Sequence, residues 1–149
     1  MSETGDGIPA GEVVVVLADD LIWATRLVGQ LRTLGAVPIR ATSAGALEET
    51  LAKGVATRAV IDLTARGYDG VAATARAASG GLRVVCVGQP DAVPLRKAAR
   101  AAGAERVLAY RKLFEDGHAT LAAWLGVPVP APGSAIVRRT AGPLEVPRG

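Results

Sequence analysis

The sequence predicts an α/β fold: a doubly wound, five-stranded parallel sheet with helices on both faces. Three observations carry that prediction. Short runs of purely apolar residues recur, VVVVL at 13–17, AVI at 59–61 and VVCV at 84–87. Such runs suit strands buried on both faces. Between them lie segments whose apolar residues return every three or four positions, the period of a helix packed on one side. The connections are short, which favours right-handed βαβ crossovers over separate bundles and sheets.

Taken in order, residues 1–11 are polar and Gly-rich and read as a flexible N-terminal arm. EVVVVLADD opens the body at 12 with the first strand. DLIWATRLVGQLRTLG follows, with Trp23, Leu27, Leu31 and Leu34 on one helix face and Gly35 as its stop. VPIRA (37–41) is a second strand. Thr42 or Ser43 caps a helix that runs to about Lys53. RAVIDL (58–63) is the third strand, and GVAATARAASGG (70–81) the third helix. LRVVCVG (82–88) is the fourth strand. The following helix spans about Ala92 to Ala102, since proline is tolerated in a first turn. ERVLAY (105–110) is expected as the fifth strand, and LFEDGHATLAAWLG as the last helix, weakened by Gly117. The body thus spans 12–126. Residues 127–149 hold five prolines and no helical period, which predicts a flexible, partly extended tail.

The 149 residues suffice for one domain with a real core. Half of them are apolar but only five are aromatic, so that core must be aliphatic. The formal net charge is +3, of which three arginines and one glutamate beyond residue 126 supply two. A body so nearly neutral argues against nucleic acid as a partner, and Arg138-Arg139 read as solvated. Cys86, the single cysteine, lies in an apolar run and reads as a buried thiol. No run approaches the roughly 18–20 apolar residues of a membrane helix. The first ten residues lack a positive n-region, so a cytoplasmic location without membrane attachment is expected.

Ligands of doubly wound sheets sit beyond the carboxyl ends of the strands, where strand order reverses. With strand order 2-1-3-4-5 that point lies between strands one and three. Those strands end in Asp19-Asp20 and in Asp62, so three carboxylates are expected at one crevice.

The body resembles the receiver domain of two-component response regulators, a CheY-like, flavodoxin-type sandwich. The acidic ADD at 18–20, the aspartate of VIDL, Gly70 eight residues after Asp62, and AAGAERVLAY near the end carry the resemblance. It implies that Asp62 stands at the phosphoacceptor position, with a histidine kinase as phosphoryl donor. It implies Mg²⁺ as cofactor, drawn to Asp19, Asp62 and the Thr64 backbone carbonyl, with Asp20 as a substitute ligand. Several positions depart from the pattern. Gly88 stands where the switch hydroxyl belongs, Tyr110 where the lysine belongs, and Arg111 where a proline follows it. Ala18 takes the first acidic position, and Arg66 stands where a proline is usual after the acceptor. Phosphoryl transfer relies on positive charge placed where negative charge develops. Loss of the lysine and of the switch hydroxyl therefore predicts an atypical receiver, a pseudo-receiver without standard phosphorelay switching. Arg66, Arg111 and Lys112 are the candidate replacement cations.

Simpler readings compete at each position. Asp19 and Asp20 suit a helix N-cap. Trp23 and Trp124 suit packing on the sheet. Tyr110 either packs with its hydroxyl at the rim or fills the lysine's space and closes the crevice. His118, the only histidine, has no partnered nucleophile, and no G-x-S-x-G elbow is present, so no enzymatic activity is expected. The expected function is signal regulation through contact with a protein partner or a second copy. By resemblance, the contact uses the face of helix four, strand five and helix five, with Arg96, Lys97, Arg100, Arg106 and Leu113, and a homodimer follows. Two alternatives stand beside it. One is a conventional Mg²⁺-dependent phosphoacceptor at Asp62. The other is a module binding a small molecule or nucleotide, which the lack of a Gly-rich phosphate loop disfavours.

Overall fold

The computed structural model describes residues 11–89 and 91–129. Most of the expected arm and tail lie outside the described residues. The elements are β1 (Val13–Leu17), α1 (Leu21–Thr33), β2 (Val37–Ala41), α2 (Ala44–Ala52), β3 (Arg58–Asp62), α3 (Gly70–Ser79), β4 (Arg83–Gly88), α4 (Val93–Ala102), β5 (Ala104–Ala109) and α5 (Tyr110–Leu125).

All five strands pair in parallel, in the order β2-β1-β3-β4-β5. The order reverses between β1 and β3, because the chain leaves β1 for one edge and returns to its other side. Alternation along each strand divides the core in two. Val14, Val16, Val60, Val85, Val87 and Leu108 pack against Trp23, Leu27 and Leu31 of α1 and Leu121 and Trp124 of α5. Val15, Leu17, Ala59, Ile61, Val84 and Cys86 pack against Leu47, Ala73, Ala77 and Ala99 on α2, α3 and α4. Strands covered on both sides need apolar residues at every position, which is why their sequences show no alternation.

The helix starts are local chemistry. The side chains of Asp20, Ser43 and Asp69 accept hydrogen bonds from the backbone N–H of Trp23, Ala46 and Ala72 and cap α1, α2 and α3. Gly70 is required by close approach. A Cβ there would stand 3.0 Å from Leu63 Cα and 3.1 Å from Leu63 Cδ2, so α3 enters directly against the end of β3.

Two expectations need correction. Tyr110 is not the last residue of a strand but the first of α5, so that helix starts three residues before the predicted Leu113. Leu113 then falls one turn after Tyr110, on the inward stripe, and is 1% exposed. It belongs to the core and not to an outer face. The weakness expected at Gly117 takes the form of a kink at Asp116, whose φ of −145° leaves the helical region.

At the amino end of the sheet, Arg58 is buried. It bonds Trp124 O at 2.7 Å and Glu12 at 2.8 Å and lies over the Trp124 ring. This single side chain ties β3 to the end of α5 and to the entry of β1. Among the described residues no helix is long and apolar enough to cross a membrane.

Candidate functional site

The carboxyl ends of β1 and β3 open into a cavity of about 740 Å³. Asp19, Asp20, Asp62, Thr64, Arg66 and Tyr110 line it, so the three carboxylates singled out in the sequence do meet at one rim. Each has its own setting. Asp62 is 1% exposed, because it is the last residue of a central strand with neighbours on both sides. Asp19 is exposed in the β1–α1 loop. Its Oδ2 accepts from the backbone N–H of Arg66 and Gly67 at 3.2 and 3.1 Å, which fastens the β3–α3 loop to the end of β1. Asp20 directs Oδ1 to Trp23 N at 2.9 Å and serves α1 as its cap.

Asp62 Oδ1 is heavily engaged. Thr64 donates its backbone N–H at 2.9 Å and its hydroxyl at 2.8 Å. The Tyr110 hydroxyl donates to the same oxygen and lies 2.6 Å from Thr64 Oγ1. Tyr110 thus reaches from the start of α5 to Asp62 and forms part of the cavity wall beside it. Its ring stands edge-on to Trp23 at a centroid distance of 5.0 Å. Partial burial, then the bond to Asp62, pushes the Tyr110 phenol above its ordinary value of 10.0. A neutral donor therefore sits where the resemblance implies a cation.

Tyr68, which no sequence feature singled out, fastens the other side. Its hydroxyl lies 2.9 Å from Leu17 O and 2.8 Å from Asp62 O and shares one proton between the two strand ends. Burial, followed by the charges of Asp62 and Asp19, raises this phenol as well. An aromatic six residues after the acceptor position was the only signal available, and its meaning depends on where the loop folds back.

The candidate cations separate. Arg66 lines the cavity. Arg111 and Lys112 turn to carboxylates of their own helix, Glu115 at 3.7 Å and Asp116 at 3.5 Å. Arg26 lines the cavity too, with its guanidinium carbon 4.2 Å from the Phe114 ring centre. Sequence reasoning missed Arg26, which reaches the rim only because α1 and α5 lie side by side. Gly88 is buried at the end of β4, and a Cβ there would stand 3.6 Å from Leu63 Cδ1, ordinary contact distance. The position tolerates a Cβ and carries none. His118 is exposed on α5, away from these residues. Cys86 is buried, its thiol pushed up to about 11 by desolvation, with Thr74 Oγ1 at 3.1 Å.

Among the described residues no three Asp, Glu, His or Cys side chains form a metal-holding group. The donors that suit a hard cation are Asp19, Asp62 and the Thr64 carbonyl, since Asp20 Oδ1 is occupied by its cap. Mg²⁺ is commonly held by one or two carboxylates with water completing its shell; Asp19 Oδ2 already accepts from two amides and Asp62 Oδ1 from three donors, so an ion here would have to use their other oxygens.

No protein-family model matches the sequence. No curated protein matches it either. Solved structures do. A response regulator receiver protein from Burkholderia phymatum is 25% identical, with a TM-score of 0.68 over 80% of this chain and 98% of that one. The signal receiver domain of the response regulator NarL from Mycobacterium tuberculosis is 21% identical, with a TM-score of 0.67 over 79% and 98%. A response regulator from Burkholderia pseudomallei, solved with a phosphorylated aspartic acid, a calcium ion and citrate, is 17% identical, with a TM-score of 0.66 over 87% and 73%. The fold is that of a CheY-like receiver domain.

Proposed function

We propose that this chain is an atypical receiver-like regulator that acts by binding another protein or a second copy of itself, without standard phosphorelay switching and without catalysis. One observation carries the reading: the Tyr110 hydroxyl occupies the space beside Asp62 and bonds both Asp62 and Thr64. A phosphoryl group arriving at Asp62 would meet a neutral phenol in place of a fixed cation, and phosphoryl transfer depends on such charge. Gly88 adds to this, since β4 ends without the hydroxyl that would follow a phosphate. The receiver fold itself supports a protein partner. The surface is the edge formed by α4, β5 and α5, and its occupant is an unlike protein or a second copy in a homodimer.

Beryllofluoride with Mg²⁺, added while the amide NMR spectrum of the whole chain is followed, tests this. No shift around Asp62, Thr64 and Gly88 is expected. Shifts that vanish in Asp62→Asn would reverse the reading.

A second reading, a working phosphoacceptor at Asp62, draws on a separate observation. Asp62 faces the cavity, and its Oδ2 carries no hydrogen bond among the described residues. Asp62 and Asp19 with the Thr64 carbonyl would then hold Mg²⁺, which neutralises charge on a bound phosphoryl group. Arg66 or Arg26 would stand in for the lysine. The structure from Burkholderia pseudomallei shows that a receiver-fold protein carries a phosphorylated aspartic acid. The same NMR experiment separates the two readings.

A further inference from the structure

Two charged residues are buried among the described residues, Arg58 and Asp62. Arg58 has its counter-charge in Glu12, 2.8 Å away. Asp62 has none, since no lysine or arginine among the described residues pairs with it. A buried charge is ordinarily paired or bound to a cation, because alone it forfeits its hydration. The donors on Asp62 Oδ1, from Thr64 and Tyr110, are all neutral. Asp62 Oδ2 accepts no hydrogen bond among the described residues. Nor is it one of the sealed polar atoms left without a partner, which are Trp23 Nε1, Arg58 Nε, Arg96 Nη1 and Trp124 Nε1. It therefore faces the cavity that Asp62 lines.

The same demand continues outward. Asp19 spends Oδ2 and Asp20 spends Oδ1 on backbone amides. The second oxygen of each takes no hydrogen bond among the described residues, so all three carboxylates of one cavity keep an oxygen unbonded. Arg26 and Arg66 line the cavity too, but three carboxylates against two guanidinium groups leave it net negative. Arg26 is also drawn over the Phe114 ring, 4.2 Å from its centre. Much of the outer wall is apolar. Ile22 and Phe114 line it while 76% and 42% exposed, and Trp23 lies deeper. A volume of about 740 Å³ lies within the range of small-molecule sites. A metal ion with its waters would leave the apolar wall unused.

We infer that the crevice binds a small organic ammonium, its –NH₃⁺ set on Asp62 Oδ2 with Asp19 and Asp20 beside it, and its apolar body against Ile22 and Phe114. A primary ammonium brings three donors and no acceptor, which suits carboxylates that can only accept. Aromatic side chains in the wall favour such a cation further. The ligand supplies from outside the positive charge that the Tyr110 phenol does not. The inference goes beyond protein contact as the mode of action, because it gives the protein a chemical input whatever its partner is. Anionic ligands, nucleotides included, are the weaker fit, since they set negative charge against Asp62.

The test uses 2-phenylethylamine as the probe, titrated into the full chain with amide NMR as readout and EDTA present, so that no metal occupies the acids. 2-Phenylethanol and phenylacetate, similar in shape but neutral and anionic, are titrated in parallel. The amine is expected to shift the amides of Asp19, Asp62 and Thr64. It is expected to bind at least about tenfold more tightly than the alcohol, the scale of hydrogen bonds to charged groups. Asp62→Asn keeps the shape, removes the charge and is expected to weaken the amine by a similar factor. Tyr110→Lys puts a tethered ammonium beside Asp62 and is expected to exclude the free one. Alcohol or phenylacetate binding as tightly as the amine would overturn the proposal. So would an amine that shifts none of these amides, or one that binds either variant, folded by circular dichroism, as well as the parent chain. The comparison of three probes needs only the parent chain, so it decides the matter even where a variant does not fold. Failure here leaves the protein-contact reading standing, since that reading falls to a beryllofluoride response and not to these titrations.

Discussion

At the scale of single residues, the deciding feature is a phenol where an ammonium is expected. The Tyr110 hydroxyl, Thr64 Oγ1 and Thr64 N converge on one oxygen of Asp62. Tyr110→Phe removes one donor from a part-buried network and should cost about 0.5–1.5 kcal/mol in urea unfolding. The reverse experiment builds the missing parts. Gly88 has space for a side chain, so the double variant Gly88→Ser/Tyr110→Lys should fold and acquire a Mg²⁺-dependent beryllofluoride shift around Asp62. A variant that folds yet stays silent would show that a lysine and a hydroxyl at these positions are not enough to make the site respond. Asp62 and Gly88 were legible in the sequence because each stands at a strand end, where a fixed count from an apolar run locates it, and the same count reached Tyr110 although it lies one residue past β5, at the start of α5. Tyr68 and Arg26 were not legible. Their roles arise from a loop folding back and from two helices lying side by side, and neither leaves a periodic trace.

Elements are placed by their caps and by one close approach. Asp20 caps α1, so Asp20→Ala should lose about 0.5–2 kcal/mol while Asp20→Asn, an equally good cap, should lose almost nothing. If calorimetry shows Asp20→Asn weakening Mg²⁺ binding, the carboxylate serves a metal as well as the helix. Gly70→Ala forces a methyl group to within 3.0 Å of the Leu63 backbone and should destabilise by about 1–3 kcal/mol, measurable as a lowered denaturation midpoint. The strands follow from apolar runs, α1 to α3 from periodic apolar residues with a capping side chain just before each, and α4 from a proline in its first turn without such a cap. The join of β5 to α5 did not. Tyr110 favours strands by propensity, yet it opens α5, with its hydroxyl bonded to Asp62.

Across the whole molecule, ionisation links the two ends of the sheet to stability. Tyr68 and Tyr110 are the only tyrosines, and both phenols are raised above 10.0. In the unfolded chain they ionise near their ordinary value, so their contribution is intact below pH 10 and is lost as pH rises further. Ultraviolet titration of the native protein should therefore show tyrosinate appearing later than in urea, and Tyr110→Phe should reduce the alkaline loss of stability. At the other end, hydrogen bonds from Arg58 and Arg83 hold Glu12 and Glu105 below the usual carboxylate value of 4.5. Their contribution is present above that value and falls away as pH drops through the lowered ones. The exposure of both glutamates keeps this acid-side effect small. The layered sheet and its strand order were readable because burial on two faces writes itself into every strand, whereas the distribution of charge over the surface depends on which side chains pair and had to be seen. Finally, Tyr68 ties the two central strand ends on one side and Tyr110 ties the start of α5 to β3 on the other. On the proposed reading, a message would be conveyed by how much of the protein is bound at any moment, a graded tally and not a flip between two shapes.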